Sequence, residues 1–180
     1  MRRPSLEEYS AQKGALSMTP KESLTFFSDS PESTFRLGAL LGREAIAGDV
    51  IALTGTLGAG KTRLVQGLAQ GLEVSDSYVS SPTFILVHAH EGRLPLYHID
   101  LYRLETGAEI DSIGLDEYLE GEGVAAVEWA DKGLAMLPSD RLTIEVRYFQ
   151  ESEREIILAG EGPRSRAWLD KIRSRVSEGK

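Results

Sequence analysis

The chain has 180 residues, of which 41% are hydrophobic, enough for one globular domain with a buried core and no second domain. Its net charge of −8 disfavours broad electrostatic binding to DNA or RNA, and its lack of cysteine excludes disulfides and thiolate metal sites. The sequence shows neither a signal peptide nor an apolar run of about 18 residues, so we expect a cytoplasmic protein that does not enter a membrane.

The N-terminal part of the chain changes character near residue 20. Residues 1–20 show no periodicity and predict a flexible extension. The following β-rich run, 23–27, is a candidate edge strand. The Ser-Pro-Glu sequence at 30–32 is typical of a helix start, with a hydroxyl at the N-cap, a proline in the first turn and an acid behind it. We expect this helix to end at Gly48.

The most informative stretch, Gly55–Thr62, matches the phosphate-binding pattern G-x-x-x-x-G-K-[ST] in full. Glycines at its first, fourth and sixth positions allow successive backbone N–H groups to point inward around a phosphate. Lys61 would place a positive charge on the outer phosphates, and the Thr62 hydroxyl could ligate Mg²⁺. The stretch therefore predicts a nucleotide phosphate site.

The residues around this loop agree with that prediction. Val50–Thr54 is an apolar run typical of a buried parallel strand, and Lys61–Gln70 has the apolar face of a helix that ends near Gly71. A strand, a glycine loop and a helix in this order place the positive end of the helix dipole at the phosphate.

A polar connector leads to Ser81–Phe84, where phosphate-loop proteins often place a segment that senses the outer phosphate. Thr83 is therefore a candidate sensor, although the segment could equally just open the next strand. Phe84–His90 and Leu94–Asp100 are β-rich runs joined by a short turn, and together they predict a hairpin.

Two apolar runs end in a carboxylate. Asp100 ends the second hairpin strand, and Glu128 follows the run Val124–Val127. Open α/β sheets bind ligands at the carboxyl ends of their strands, and a phosphate loop needs an acid for its metal. A carboxylate that only caps the next loop is the common alternative, but the phosphate loop favours Asp100 and Glu128 as metal or water contacts.

The segment 105–121 predicts short helices or turns. Its Asp111–Gly114 stretch mimics the D-x-x-G element of GTPases, but no apolar strand precedes it and no guanine-reading motif follows, so guanine specificity is disfavoured. His88, His90 and His98 do not share a metal-ligand spacing, and we interpret them as structural.

The C-terminal third predicts a closing antiparallel pair, 141–148 and 154–159, and then a basic helix over 164–176 whose charged face is more simply solvated than RNA-binding. The expected fold is a P-loop NTPase-like three-layer α/β/α domain over 21–160, with a mixed, mainly parallel sheet and C-terminal antiparallel strands. Residues 161–180 form the basic helix or tail.

Four stretches in order resemble the bacterial TsaE (YjeE) family: Gly55–Thr62, Ser81–Phe84, Tyr97–Leu104 and Val127–Trp129. The resemblance covers about residues 24–150. Members of the family are ATPases needed to make threonylcarbamoyladenosine beside the anticodon of certain tRNAs. They work with the TsaD and TsaB proteins, and TsaD carries the transfer chemistry.

This resemblance implies a role for each matching position. ATP phosphates would contact Gly58, Ala59, Gly60 and Lys61. Thr62 and Glu128 would hold Mg²⁺, Asp100 would orient or deprotonate the attacking water, and Thr83 would act as the switch. The segment from Asp29 to Thr34 would lie near the nucleotide base.

The expected function is thus a Mg²⁺-dependent ATPase that cycles the TsaD–TsaB complex, turns over slowly alone, and meets tRNA only through that complex. One alternative is a small-molecule kinase, which would need an acceptor pocket and an arginine-bearing lid, with 105–121 as the one candidate. Another is a nucleotide-dependent scaffold that does not require hydrolysis.

Overall fold

The computed structural model describes residues 23–75 and 79–178; the extension predicted over 1–20 lies outside the described residues. The strands are β1 (Ser23–Ser28), β2 (Val50–Thr54), β3 (Val87–His90), β4 (Leu96–Asp100), β5 (Val124–Glu128), β6 (Leu142–Tyr148) and β7 (Arg154–Gly160). The helices are α1 (Pro31–Glu44), α2 (Lys61–Gly71), α3 (Gly107–Asp111), α4 (Leu115–Leu119) and α5 (Pro163–Glu178). Two short 3₁₀ turns, Ala130–Lys132 and Leu134–Met136, follow β5.

The seven strands form one mixed sheet in the order β1-β7-β6-β2-β5-β4-β3. The four central strands, β6, β2, β5 and β4, are parallel to one another, whereas the outer pairings β1–β7, β7–β6 and β4–β3 are antiparallel. The predicted mixed α/β fold is confirmed, as are the edge position of β1 and the antiparallel pair β6–β7. Because β6 also pairs with β2, the closing pair extends the central sheet.

Both faces of the sheet are covered, which gives three layers. Along β2, Ile51 and Leu53 point into a core shared with α1, α2 and α5, whereas Val50 and Ala52 point into a second core shared with α3 and α4. The strand is buried on both faces, as expected for a central parallel strand. Within the described ranges, no helix has the length and apolar character needed to cross a bilayer.

Helices α1 and α2 touch backbone to backbone through glycines. A Cβ atom added at Gly38 would lie 2.1 Å from the carbonyl oxygen of Leu64, and one added at Gly67 would lie 2.0 Å from that of Phe35. Real Cβ atoms do not approach oxygen so closely, so only glycine fits. Gly42 and Gly71 make the same kind of contact one turn further along. The helix that follows the phosphate loop is thereby packed tightly on α1.

The first helix begins as predicted but ends early. Ser30 is its N-cap and accepts a hydrogen bond from Ser33 N at 3.2 Å. The helix ends at Glu44, four residues before Gly48, because Ala45 is already extended. Arg93 donates to carbonyl oxygens at this end, including that of Ala45 at 3.0 Å. Gly48 instead occupies the turn into β2, with φ of 81°.

The strand predicted over Phe84–His90 is wrong in its first half, because β3 starts at Val87. The N–H groups of Ile85 and Leu86 both donate to the carbonyl of Pro82, at 3.0 and 2.7 Å, and fold the segment into a turn. Leu86 has a φ of 68°, a strained value for a non-glycine residue. Phe84 is consequently 85% exposed rather than paired in the sheet.

The predicted C-terminal helix forms as α5 and is tied to the acidic body. The backbone N–H groups of Arg164 and Ser165 donate to the two carboxylate oxygens of Asp140, each at 2.9 Å. Partial burial opposes ionisation of Asp140, but these hydrogen bonds outweigh it and lower its pKa. The Arg164 side chain donates to Asp49 at 2.7 Å. Part of the basic character of α5 is therefore used within the fold.

Candidate functional site

The phosphate-type loop lies between the end of β2 and the start of α2. Gly58 and Gly60 have φ of 76° and 112°, values that favour glycine. The space above Gly60 is open, with no atom within 4 Å of the position a Cβ would take. Gly55 lies against the backbone of β6, since a Cβ there would be 2.3 Å from the carbonyl oxygen of Val146. The loop thus rests on β6 at Gly55 and is open at Gly60, as an anion cradle requires, whereas the Tyr148 hydroxyl lies 2.9 Å from the position a Cβ of Gly58 would take.

Lys61, at the start of α2, is oriented by its own loop. Its ammonium group donates to the carbonyls of Gly55 at 2.7 Å and Thr56 at 3.0 Å, which leaves one of its three N–H groups for a ligand. The same group lies 3.9 Å from the ring centroid of Trp129. Burial lowers the pKa of Lys61, and nearby carboxylates, Glu128 first among them, oppose that effect. A bound anion would favour the charged form further.

Glu128 reaches from the end of β5 to the first turn of α2. The Thr62 hydroxyl lies 2.9 Å and 3.2 Å from its two carboxylate oxygens, and His98 Nε2 lies 2.8 Å from Oε1. Glu128 is 2% exposed. A threonine hydroxyl beside a carboxylate is a set of hard oxygen donors, which suits Mg²⁺.

Asp100 collects hydrogen bonds from the segment that precedes β3. The hydroxyls of Ser81 and Thr83 both lie 2.6 Å from its Oδ2. Tyr102 N donates to Oδ1 at 2.9 Å. The carboxylate is 1% exposed and is therefore held in one orientation. The predicted sensor residue Thr83 and the predicted acid Asp100 are in direct contact.

The register of the sheet brings the two acids together. Asp100 is paired with Glu128 across the parallel strands β4 and β5, and both carboxylates act electrostatically on Lys61. Five of the sequence-predicted site residues therefore meet at this edge: Lys61, Thr62, Thr83, Asp100 and Glu128. An open glycine cradle, an oriented ammonium group and hydroxyl and carboxylate oxygens beside it fit a magnesium-bound polyphosphate.

The predicted base-proximal segment occupies a neighbouring position. Thr34 is buried, and its hydroxyl lies 2.8 Å from that of Ser28, whereas Asp29 accepts a hydrogen bond from Ser30 at 2.9 Å. Arg63 in the first turn of α2 links to this segment through the carbonyl of Pro31 at 3.3 Å. The segment thus lies beside the start of α2, and its Asp29 and Thr34 side chains bond to Ser30 and to Ser28 of β1.

Sequence reasoning missed two residues of the site. The sequence predicts a structural His98, and the structure adds that its Nε2 atom lies 2.8 Å from Glu128. Its position two residues before Asp100 on one strand puts both side chains on the same face, and this alternation is the available signal. Trp129, at a φ of 57°, lies over Lys61 directly after Glu128. No local pattern predicts that contact, because it depends on how β5 lies beside α2.

Exposed apolar side chains lie on the segments at or beyond the strand ends that form this edge of the sheet. Within the described ranges, large exposed hydrophobic residues near the site are Phe27, Leu57, Phe84, Ile85, Tyr102, Leu134, Tyr148 and Phe149. We call this set the apolar rim. Ile46, before β2, is exposed at the opposite edge. Exposed apolar residues grouped at one edge of a sheet beside a polar site are typical of a surface that contacts another protein.

Comparison with known proteins identifies relatives of this chain. The family model described as "Threonylcarbamoyl adenosine biosynthesis protein TsaE" matches residues 28–156. The curated relative from Nostoc sp. (strain PCC 7120) is 45% identical over 143 residues, which are 77% of this chain and 86% of that protein. The relative from Bacillus subtilis is 44% identical over 135 residues, covering 74% and 84%. Both are named tRNA threonylcarbamoyladenosine biosynthesis protein TsaE.

A solved structure agrees with the sequence relatives. The crystal structure of Bacillus subtilis YdiB superposes with a TM-score of 0.74 at 35% identity. The superposition covers 86% of this chain and 96% of that one. The similarity therefore extends over most of the chain, and the residues 28–156 matched by the family model include the site described above.

Proposed function

The chain belongs to the TsaE family, and from that premise we propose that it is a Mg²⁺-dependent ATPase acting in the synthesis of threonylcarbamoyladenosine in tRNA. The names of its relatives supply the pathway. The observation that carries the enzymatic part is the meeting of Lys61, Asp100 and Glu128 beside an open glycine loop. This arrangement supports phosphoryl chemistry on a nucleotide.

Each side chain has a role in this proposal. The backbone N–H groups of Gly58, Ala59 and Gly60 bind phosphate oxygens, and Lys61 neutralises their charge. Thr62 and Glu128 hold Mg²⁺, which supplies further charge neutralisation when bound. Asp100 lies beside Glu128 at the carboxyl ends of β4 and β5, and it orients a water molecule or accepts its proton. Thr83, bonded to Asp100, links that acid to the segment that precedes β3.

We further propose that TsaD and TsaB are the partners and that they dock on the apolar rim. The rim lies at the same edge of the sheet as the site, so a partner bound there can complete it. A charge-stabilising group supplied by a partner can raise phosphoryl transfer about 10³-fold or more, so hydrolysis by the chain alone is slow. Because the chain carries a net charge of −8, it reaches tRNA through the complex.

Phosphate release from ATP, measured with and without TsaD and TsaB, tests the proposal. We expect strong stimulation by the partners and its loss in Lys61→Ala, because this variant lacks the ammonium group at the loop. Lys171→Ala, on the exposed side of α5, is the matched control and should retain the stimulated rate. Unstimulated wild-type protein, or full activity in Lys61→Ala, would contradict the proposal.

The alternatives receive less support from the structure. The segment 105–121, the one candidate for a kinase lid, contains no arginine, and its Ile110, Leu115 and Leu119 are buried in the second core. A scaffold role is tested with Glu128→Gln, which keeps the shape of the side chain but weakens the metal site. If that variant binds ATP, does not hydrolyse it and still supports tRNA modification, hydrolysis is not required.

A further inference from the structure

His98 is a buried histidine on β4 that none of these roles uses. Its side chain is 0% exposed, and its Nε2 atom lies 2.8 Å from Oε1 of Glu128, whose side chain is 3% exposed. In the ladder between β4 and β5, His98 faces Ala126 while Asp100 faces Glu128, so the imidazole reaches diagonally to the carboxylate. The contact therefore joins two side chains that water does not reach.

The surroundings of the imidazole select one tautomer. Its Nδ1 atom is buried and has no hydrogen-bond partner among the described residues. A proton on Nδ1 would be an unsatisfied buried donor, which is costly, whereas a proton on Nε2 is accepted by the carboxylate. His98 is therefore a fixed Nε2–H donor directed at Glu128.

The hydrogen bonds continue from Glu128 to the loop. The Thr62 hydroxyl has a single proton, and both carboxylate oxygens of Glu128 lie within 3.2 Å of the hydroxyl oxygen. When that proton points to the carboxylate, the lone pairs of the Thr62 oxygen are free on its other side. The orientation of Glu128 thus decides where the Thr62 oxygen can act as a ligand.

We propose that His98 is a positioning residue of the magnesium site. Its Nε2–H group holds Glu128 in the orientation in which the carboxylate accepts the hydrogen bond of the Thr62 hydroxyl, and the lone pairs of the Thr62 oxygen then face the metal. The inference rests on the proposed function, because it assigns Thr62 and Glu128 to the metal. It adds a residue that contacts neither the nucleotide nor the metal and acts through a carboxylate.

The expected effect follows from the behaviour of hydrogen-bonded partners behind metal ligands. Removing such a partner typically lowers metal affinity or activity about 10- to 100-fold. His98→Leu fills the buried space without a donor, whereas His98→Gln keeps an N–H group close to the position of Nε2. We expect the glutamine variant to recover most of what the leucine variant loses.

Calorimetric binding of a non-hydrolysable ATP analogue, titrated with Mg²⁺, tests the proposal without requiring turnover. In His98→Leu, the Mg²⁺ concentration for half-maximal enhancement of binding should rise about 10- to 100-fold. Binding of the analogue in EDTA should not change, and His98→Gln should resemble the wild type. His88→Leu is the control, because His88 is directly opposite His98 on β3 and has no contact with Glu128 among the described hydrogen bonds.

Other results would overturn the inference. An unchanged Mg²⁺ requirement in His98→Leu, or a defect in His98→Gln equal to that of His98→Leu, means that the imidazole does not position the ligand. If His98→Leu does not fold, ¹⁵N shifts of the histidine rings in the wild type decide: an Nε2–H, Nδ1-bare ring supports the proposal and the opposite tautomer overturns it. Absence of partner-stimulated hydrolysis contradicts the ATPase instead, and absence of analogue binding to the wild type overturns both.

Discussion

At the scale of single residues, the site depends on side chains whose hydrogen bonds are already made before any ligand arrives. Lys61 is held by two carbonyls, Asp100 by two hydroxyls and a backbone N–H, and Glu128 by Thr62 and His98. Such groups need little rearrangement to meet a charged substrate, which is how enzymes stabilise transition-state charge.

Asp100→Asn tests the role of this acid. The asparagine is of equal size, and hydroxyls can accept from its amide, so we expect the fold and ATP binding to persist. The partner-stimulated rate of phosphate release should fall about 100-fold or more, because the variant cannot accept a proton. Asp111→Asn is the control: this exposed carboxylate belongs to the GTPase-like stretch and should be replaceable without effect. Equal rates in the two variants would remove Asp100 from the mechanism.

The residues that local patterns predicted and those they missed differ in one respect. Gly55–Thr62, Asp100 and Glu128 are marked by the order of residues along the chain, since each ends a strand or begins a helix. His98 and Trp129 matter through contacts with other elements, which no window of sequence contains. Alternation along β4 is enough to put His98 on the same face as Asp100. The contact of His98 with Glu128 can be predicted only when the pairing register of β4 and β5 is known.

At the scale of elements, the contact between α1 and α2 sets the position of the loop. Gly38→Ala would place a methyl group 2.1 Å from the Leu64 carbonyl, and neither helix backbone can yield cheaply. We expect a loss of at least about 2 kcal/mol in the free energy of unfolding, measured by urea denaturation. Gly107→Ala, at the start of α3, is the control, because its Cβ would meet only the Met136 side chain, at 3.7 Å.

The stability of the control variant separates the steric clash between α1 and α2 from the general effect of replacing a glycine. The free energy of unfolding of Gly107→Ala should stay within about 0.5 kcal/mol of the wild type. If both variants lose stability equally, the close approach of α1 and α2 is not what requires glycine at position 38.

Most elements could be predicted because each carries its own signal. The cap at Ser30, the apolar run of β2 and the alternation of β6 are local, and all three elements form. The turn before β3 has no such signal. Phe84 and Ile85 have the composition of a strand, but hydrogen bonds to Pro82 and the exposure of both side chains exclude them from the sheet.

At the scale of the whole molecule, the strand order lay beyond sequence reasoning. The chain passes from β2 to a hairpin at one edge, returns to β5, and then crosses to β6 on the other side of β2. These pairings join residues far apart in sequence, such as Leu53 with Ile144 and Asp100 with Glu128. The fold class followed from the alternation of strands and helices, but the neighbours of each strand did not.

The apolar rim predicts where a partner binds. Phe84→Ser should weaken the binding of the TsaD–TsaB complex, measured by calorimetry, and reduce its stimulation of ATP hydrolysis by about tenfold or more, since buried aromatic anchors dominate interfaces. Nucleotide binding by the chain alone should not change. Ile46→Ser removes an exposed hydrophobic residue at the opposite edge and should leave the complex intact. If Ile46→Ser loses binding of the complex and Phe84→Ser does not, the partner binds at the opposite edge and the prediction is wrong.

The glycine contact between α1 and α2 also has a mechanical meaning. Two helices in direct backbone contact form a rigid unit, and Lys61 and Thr62 lie at the start of one of these helices. Among the described residues, the segment on the other side of the site, with Thr83 and the turn at Leu86, makes no such glycine contact between helices, and Leu86 has a strained backbone. If the site binds a nucleotide as proposed, a displacement driven by its terminal phosphate would occur mainly in this segment, where Phe84 is 85% exposed and can contact a partner.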